Sequence, residues 1–273
     1  NYLEHKINIL DAPGCPDFIG DAIVALQAVE NAVIVANAAG GYEVGLELAL
    51  EQIEDRKTGI VIVVNRMDNE HSDYDKTLEL IAENTDVKPV KIHIPIGKES
   101  AFEGVVDVIK RKAIKGGMET EVPSAMLDKM EEARMHLMEA VAETDEDLLN
   151  EYLENMELPE EKLIAGLKKG ILSGEISPAF ACSAGTGEGV LALLKGIINY
   201  LPSPAEANTI EVLSNNEKSS LICNPEGDLL GYIFKLYADP GMGDFAYVRM
   251  LSGALNSGME VYIHETDATA KAG

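Results

Sequence analysis

Ile60-Val61-Ile62-Val63-Val64-Asn65-Arg66-Met67-Asp68 is the stretch from which the rest of the chain can be read. Five β-branched apolar residues in a row suit a strand buried on both faces, and the polar tetrapeptide ends it. Upstream, Ala32-Val33-Ile34-Val35-Ala36 is a second such run, also expected to be buried on both faces. Before it, His5-Lys6-Ile7-Asn8-Ile9-Leu10-Asp11 reads as a strand stopped by Pro13-Gly14. Helical patterns fill the gaps: one opens at Pro16-Asp17-Phe18 and runs through Ile23, Leu26 and Val29, and one runs from Glu43 to Arg56. Downstream, Ile176 to Cys182 is a strand, Gly189 to Leu201 a helix, and Pro202-Ser203-Pro204 closes the unit. Strands alternating with helices at this spacing predict an α/β domain over residues 1–204 with a doubly wound parallel sheet.

Residues 86–175 interrupt that alternation. Lys91 to Gly97 and Gly104 to Ile109 read as short strands of a small mixed unit. Val122 to Glu143, Glu146 to Asn155 and Pro159 to Gly170 read as acidic helices, with Asp145 and Pro159 as start signals and Gly170 as a stop. The segment is therefore expected to be an α+β insertion. Residues 205–228 read as a polar linker. Leu229–Tyr237, Phe245–Leu251 and Met259–His264 read as strands, the first two joined by a turn over 238–244. They are expected to begin a β-barrel domain over 229–273.

The chemistry resides in the loops. Asp68 can only accept hydrogen bonds when ionised, and guanine offers two donors on one edge, N1–H and the N2 amine. Adenine has an acceptor at N1 and no amine there, so a site of this kind rejects it by roughly 10⁴–10⁵. Asp11-Ala12-Pro13-Gly14 follows a strand and precedes a helix. There an Asp can hold Mg²⁺ through water, and the glycine lets its backbone N–H approach a terminal phosphate. Cys182-Ser183-Ala184 ends a strand in small residues, which let backbone N–H groups reach a base oxygen. Each tripeptide or tetrapeptide alone is a common strand–turn junction. Together they lie at the carboxyl ends of successive parallel strands, where ligands bind in open α/β sheets.

Composition excludes several classes. The chain has 273 residues and a formal net charge of −25, so the phosphate backbone would repel it and a free DNA binder is excluded. Lys110-Arg111-Lys112 with Lys115 is the one dense basic run and reads as a solvated strand edge. The three cysteines, Cys15, Cys182 and Cys223, form no CxxC pair, which points to a reducing cytoplasm and away from disulfides or zinc. The five histidines are scattered, and no apolar run reaches the ~20 residues of a membrane span.

Taken together, these segments resemble elongation factor G, the bacterial translocation GTPase of the ribosome. Asp11-Ala12-Pro13-Gly14 resembles its D-x-P-G switch segment, Asn65-Arg66-Met67-Asp68 its N-K-x-D, and Cys182-Ser183-Ala184 its S-A segment. Leu201-Pro202-Ser203-Pro204 resembles the L-P-S-P that closes the family's GTPase domain, and Tyr232-Ile233-Phe234-Lys235 through Asp239-Pro240 the start of its barrel. The insertion resembles the extra subdomain of that family. The resemblance implies GTP/GDP and Mg²⁺ as ligands. Asp11, Gly14, Asn65, Arg66, Asp68, Ser183 and Ala184 would be the binding residues, with Asp11 on Mg²⁺ through water. It implies the ribosome as partner, its stalk protein at the insertion and its small subunit at the barrel.

Three departures stand out. Cys15 occupies the position where the family has a His that orders the attacking water. A thiol is shorter and a poor donor, and losing such a group costs about 10²–10⁴ in rate. That opens an alternative, a GTP-sensing ribosome-binding factor with weak hydrolysis; a redox role for Cys15 at a helix N-terminus is another. Arg66 stands for the usual Lys and keeps a cation on an apolar stem. No G-x-x-x-x-G-K-[ST] occurs, since Gly40-Gly41 and Gly241-Met242-Gly243 lack the following Lys-Ser/Thr. The chain also starts at Asn1 rather than Met, and the resemblance puts the phosphate loop upstream of it. The strand leading into that loop would lie between those ending at Asp11 and Ala36, so these two are expected not to pair directly.

Overall fold

The computed structural model describes residues 1–54, 58–207, 210–214, 217–241 and 243–273. The chain divides into two compact units, Asn1–Pro202 and Ser203–Gly273.

In the first unit, a 3-10 turn at Pro16–Phe18 leads into α1 (Ile19–Leu26), β1 (Asn31–Asn37), α2 (Val44–Glu54), β2 (Gly59–Asn65), α3 (Tyr74–Asn84) and β3 (Pro89–Lys91). The insertion contributes β4 (His93–Ile96), β5 (Gly104–Asp107), β6 (Lys112–Lys115) and β7 (Met118–Thr120). Its helices are α4 (Leu127–Ala142), α5 (Glu146–Asn155) and α6 (Glu160–Ser173). The alternation resumes with β8 (Ser177–Ala181) and α7 (Val190–Tyr200). β1, β2, β8 and β3 form a parallel sheet in that order, and β4 to β7 an antiparallel one. This is the α/β fold with an inserted α+β element that the alternation predicts.

β2 carries the architecture. Val61 and Val63 face a core shared with α4, α6 and β4, while Ile62 and Val64 face a second core with α2 and α3. Side chains alternate across a strand, so one run of fully buried valines and isoleucines feeds both cores. Asp145 caps α5 as its sequence position predicts, accepting from the N–H groups of Asp147 and Leu148.

Several expectations are corrected. His5–Asp11 is not a strand: apart from a Tyr2–His5 bridge it has no sheet partner among the described residues and is largely exposed, with Ile9 at 74%. A single extended segment without a neighbour has only water for its backbone groups. Because it is not a strand, it does not test the expectation that it and β1 stay apart. β1 is an edge strand and is not buried on both faces, since Val33 and Val35 remain 43% and 59% exposed. α1 stops at Leu26, short of Val29, and α2 ends at Glu54; the expected continuation to Arg56 lies outside the described residues. Lys91–Gly97 is two strands in two sheets, because the N–H of Ile92 bonds Ala179 O while its carbonyl accepts from Val108. α4 begins only at Leu127, after a 3-10 turn at Ser124–Met126. Gly170 does not end α6: it sits inside the helix, where a Cβ would press on Ile176 at 2.6 Å, and Gly174 in a left-handed conformation is the stop.

The second unit holds β9 (Ile210–Ser214) and β10 (Glu217–Leu221), β11 (Leu230–Asp239) and β12 (Gly243–Ser252), and β13 (Glu260–Ile263) and β14 (Ala268–Lys271). Each pair is an antiparallel hairpin. The stretch expected as linker thus carries a hairpin of its own, and the third expected strand pairs forward with β14. Met242, within the turn expected between β11 and β12, lies outside the described residues.

Candidate guanine-base site

β2 and β8 are adjacent and parallel, with Val64 opposite Ala181. Their polar tails therefore leave the sheet side by side. The N–H of Cys182 donates to Val64 O at 3.0 Å, and the N–H of Met67 to Cys182 O at 3.2 Å. Arg66 has φ +62°, a left-handed turn that reverses the chain and leaves its side chain exposed, while Met67 is driven into the core at 1% exposure. The tetrapeptide is thus anchored by its third residue and presents the first, second and fourth.

The two loops are cross-linked by the residues the motifs single out. Asn65 Oδ1 accepts from the N–H of Ala184 at 2.9 Å and from the Cys182 thiol at 3.6 Å. Burial pushes the Cys182 thiol up to about 11, so it stays a neutral donor. Ser183 Oγ donates to Asp68 Oδ1 at 2.5 Å, and itself accepts from the N–H of Thr186 at 3.2 Å. Ser183 is fully buried and Asp68 half-buried. The carboxylate is held in one orientation with Oδ2 and part of Oδ1 left to accept, which matches the paired donors of guanine. Ala184 differs from its expected role in one respect. Its N–H already serves Asn65, so a base oxygen would share that donor.

The β8–α7 turn is closed by its own backbone hydrogen bonds. Ser183 N–H donates to Glu188 O at 2.8 Å and Gly187 N–H to Ser183 O at 2.8 Å. Gly189 has φ +79°, and a Cβ there would stand 2.6 Å from Ala181 O, so only glycine fits. Ala38, just after β1, ties the neighbouring loop in: its N–H donates to Asn65 O and its carbonyl accepts from Asp73, both at 2.9 Å. Asp73 also caps α3, accepting from the N–H of Lys76. Ser72 Oγ donates to Met67 O at 2.8 Å. Ala38, Ser72 and Glu188 carry no motif signature; only the Ser-Asp step before the α3 pattern, a helix-start signal, could have flagged Ser72.

The structure brings together Asn65, Arg66, Asp68, Ser183 and Ala184. It does not bring Asp11, Gly14 or Cys15 to them: among the described residues these three have no hydrogen bond to either base loop. Asp11 and Cys15 are exposed on the unpaired segment before the first 3-10 turn, and Gly14 O lies near Gly45 at the start of α2. Among the described residues no group of three or more His, Cys, Asp or Glu converges. A Mg²⁺ ion held by Asp11 through water would take its other ligands from phosphate oxygens and solvent. The basic run is neutralised: Lys110 pairs with Glu160, Arg111 with Glu157, Lys112 with Glu121 and Lys115 with Glu103. Among the described residues no helix is long and apolar enough to cross a membrane.

A parallel sheet that delivers Asn-x-x-Asp and Ser-Ala loops from neighbouring strands is the arrangement of a GTP-binding domain. The family model for the elongation factor Tu GTP binding domain matches residues 1–203, and the chain belongs to that family. A solved structure from Thermus thermophilus is similar to it, at 30% sequence identity and a TM-score of 0.79. The likeness covers 96% of this chain and 37% of that one, so this chain spans little more than a third of its relative's length.

Proposed function

We propose that this chain is part of a ribosome-associated translational GTPase of the elongation-factor-G type, which binds GTP or GDP and couples hydrolysis to a step of protein synthesis. The observation that carries the reading is the pair of cross-links between the base loops, Ser183 to Asp68 and Ala184 to Asn65. Arg66, exposed on its left-handed turn, is placed to lay its stem across a base. Asp11 and Gly14 would meet the phosphate end once a phosphate loop joins them, with Mg²⁺ supplying charge neutralisation there. The net charge of −25 fits a partner met through protein surfaces rather than bare RNA. The ribosomal stalk protein at the insertion and the small subunit at the second unit are the partners this reading takes, in the cytoplasm.

Nucleotide titration of the full-length protein tests it. GDP should bind at least 10³-fold tighter than ADP, and Asp68→Asn should weaken GDP while admitting xanthosine diphosphate, whose base edge offers an acceptor where guanine has its amine. Equal affinity for GDP and ADP refutes the reading.

Cys15 favours a second reading for the hydrolytic step, a GTP sensor with slow turnover. Its thiol is exposed and free, and no imidazole stands there to order water. Ribosome-stimulated turnover should then rise by about 10² or more in Cys15→His. Robust turnover in the wild type, undiminished relative to that variant, refutes the slow-hydrolysis reading.

A further inference from the structure

Three non-glycine residues with left-handed backbone converge on the loop after β2: Arg66 at φ +62°, His71 at +64° and Glu99 at +53°. Such conformations are strained and persist only where their surroundings over-determine them. The first two belong to the base loop. Glu99 does not; it comes from the insertion, in the 3-10 turn Glu99–Ala101 between β4 and β5.

What Glu99 gains from its strained backbone is a reciprocal clasp. Its carboxylate Oε1 accepts from the N–H of His71 at 2.9 Å, and its own N–H donates to Ser72 Oγ at 3.3 Å. The Ser72 hydroxyl in turn donates to Met67 O at 2.8 Å. Ser72 and Met67 are 4% and 1% exposed, so this end of the relay is screened from water, while the Glu99–His71 arm is exposed, and the relay ends inside the Asn65–Asp68 tetrapeptide. The insertion holds the second base loop as well. The N–H of Gly116, in the β6–β7 turn, donates to Glu188 Oε2 at 3.1 Å, and Glu188 O accepts from the buried Ser183.

We propose that Glu99 is a positioning residue for the guanine base: it fixes Asp68 through Ser72 and Met67, and with Glu188 it couples the insertion to base affinity. The inference rests on the guanine-site reading above. Glu99 touches no ligand; it acts by limiting where the Asp68 carboxylate can point. Movement of the insertion by a bound partner would then loosen or tighten the base loops without reaching the nucleotide.

The test uses the full-length protein with GDP and inosine diphosphate, which lacks the N2 amine. Wild type, Glu99→Ala, Glu99→Gln and Ser72→Ala are titrated with both. Glu99→Gln keeps the acceptor oxygen and should stay within about twofold of wild type. Glu99→Ala and Ser72→Ala should each weaken GDP roughly 10-fold, with a much smaller loss for inosine diphosphate. Because both act on one relay, the double variant should be no weaker than the worse single one. Equal loss for both nucleotides, or a GDP/IDP ratio unchanged in Glu99→Ala, overturns the positioning role while leaving the guanine site standing. Absence of GDP binding by the wild type overturns the site and this inference together.

Discussion

Lowering the pH from 8 to 5 should destabilise the first unit through one side chain, His93. Its ring is fully buried, meets Phe180 edge-on at a centroid distance of 4.8 Å, and neither ring nitrogen has a hydrogen-bond partner. Burial therefore drives its pKa from 6.5 down to about 3. The sign follows from proton uptake. Below pH 6.5 the unfolded chain binds a proton at His93 that the folded chain refuses until about pH 3. Stability is present in full above pH 6.5 and declines as pH falls through that window. At about 1.4 kcal/mol per pH unit, the loss between pH 8 and pH 5 comes to about 2 kcal/mol. Asp107 works the other way, because burial raises its carboxyl pKa. It is shared by wild type and His93→Leu, so the difference between the two isolates the imidazole. Urea unfolding followed by far-ultraviolet circular dichroism at pH 8, 6.5 and 5 gives that difference. The leucine variant should be the more stable at every pH, with the gap widening by about 2 kcal/mol at pH 5. A gap that stays constant within about 0.5 kcal/mol refutes the assignment of a neutral, unpartnered His93.

Other expected outcomes concern the site and its frame. Gly189→Ala puts a Cβ 2.6 Å from Ala181 O at φ +79° and should cost about 1–3 kcal/mol, read as a lower urea midpoint. Ser183→Ala removes the hydroxyl that steers Asp68 and should weaken GDP about tenfold in the full-length protein, measured by titration. Tyr200→Phe removes the buried donor to Asp107 Oδ2 at 2.6 Å and should cost about 1–3 kcal/mol in the same unfolding assay, with GDP affinity unmoved.

The parallel sheet was legible because β2 and β8 are apolar enough to satisfy no other environment, and the helices between them carry caps such as Asp145. That the Asn65–Asp68 and Cys182–Ala184 loops meet was legible because both follow apolar runs that belong in one parallel sheet. Three features could not be read. His5–Asp11 has strand composition, but pairing depends on a neighbour and composition cannot supply one. Ile92 belongs to a single apolar run whose break between two sheets is decided by Ala179 and Val108, distant in sequence. Gly170 has the residue type of a helix stop, yet its lack of a side chain serves the approach of Ile176. Glu99 and Ser72 were missed for a related reason: their roles arise from where the insertion folds back.

The passage from β3 to β4 takes one residue. Lys91 ends the parallel sheet, His93 begins the antiparallel one, and Ile92 between them is hydrogen-bonded on both sides. An engineer who wished to excise the insertion or transplant it to another domain would find no slack at this seam. Cutting there frees the Ala179 carbonyl on the last strand before the Ser183 loop, so the operation meant to spare the base site would begin by unlacing its support. A graft that keeps Ile92 with the host sheet, and rejoins the chain after it, is the one this hydrogen-bonding permits.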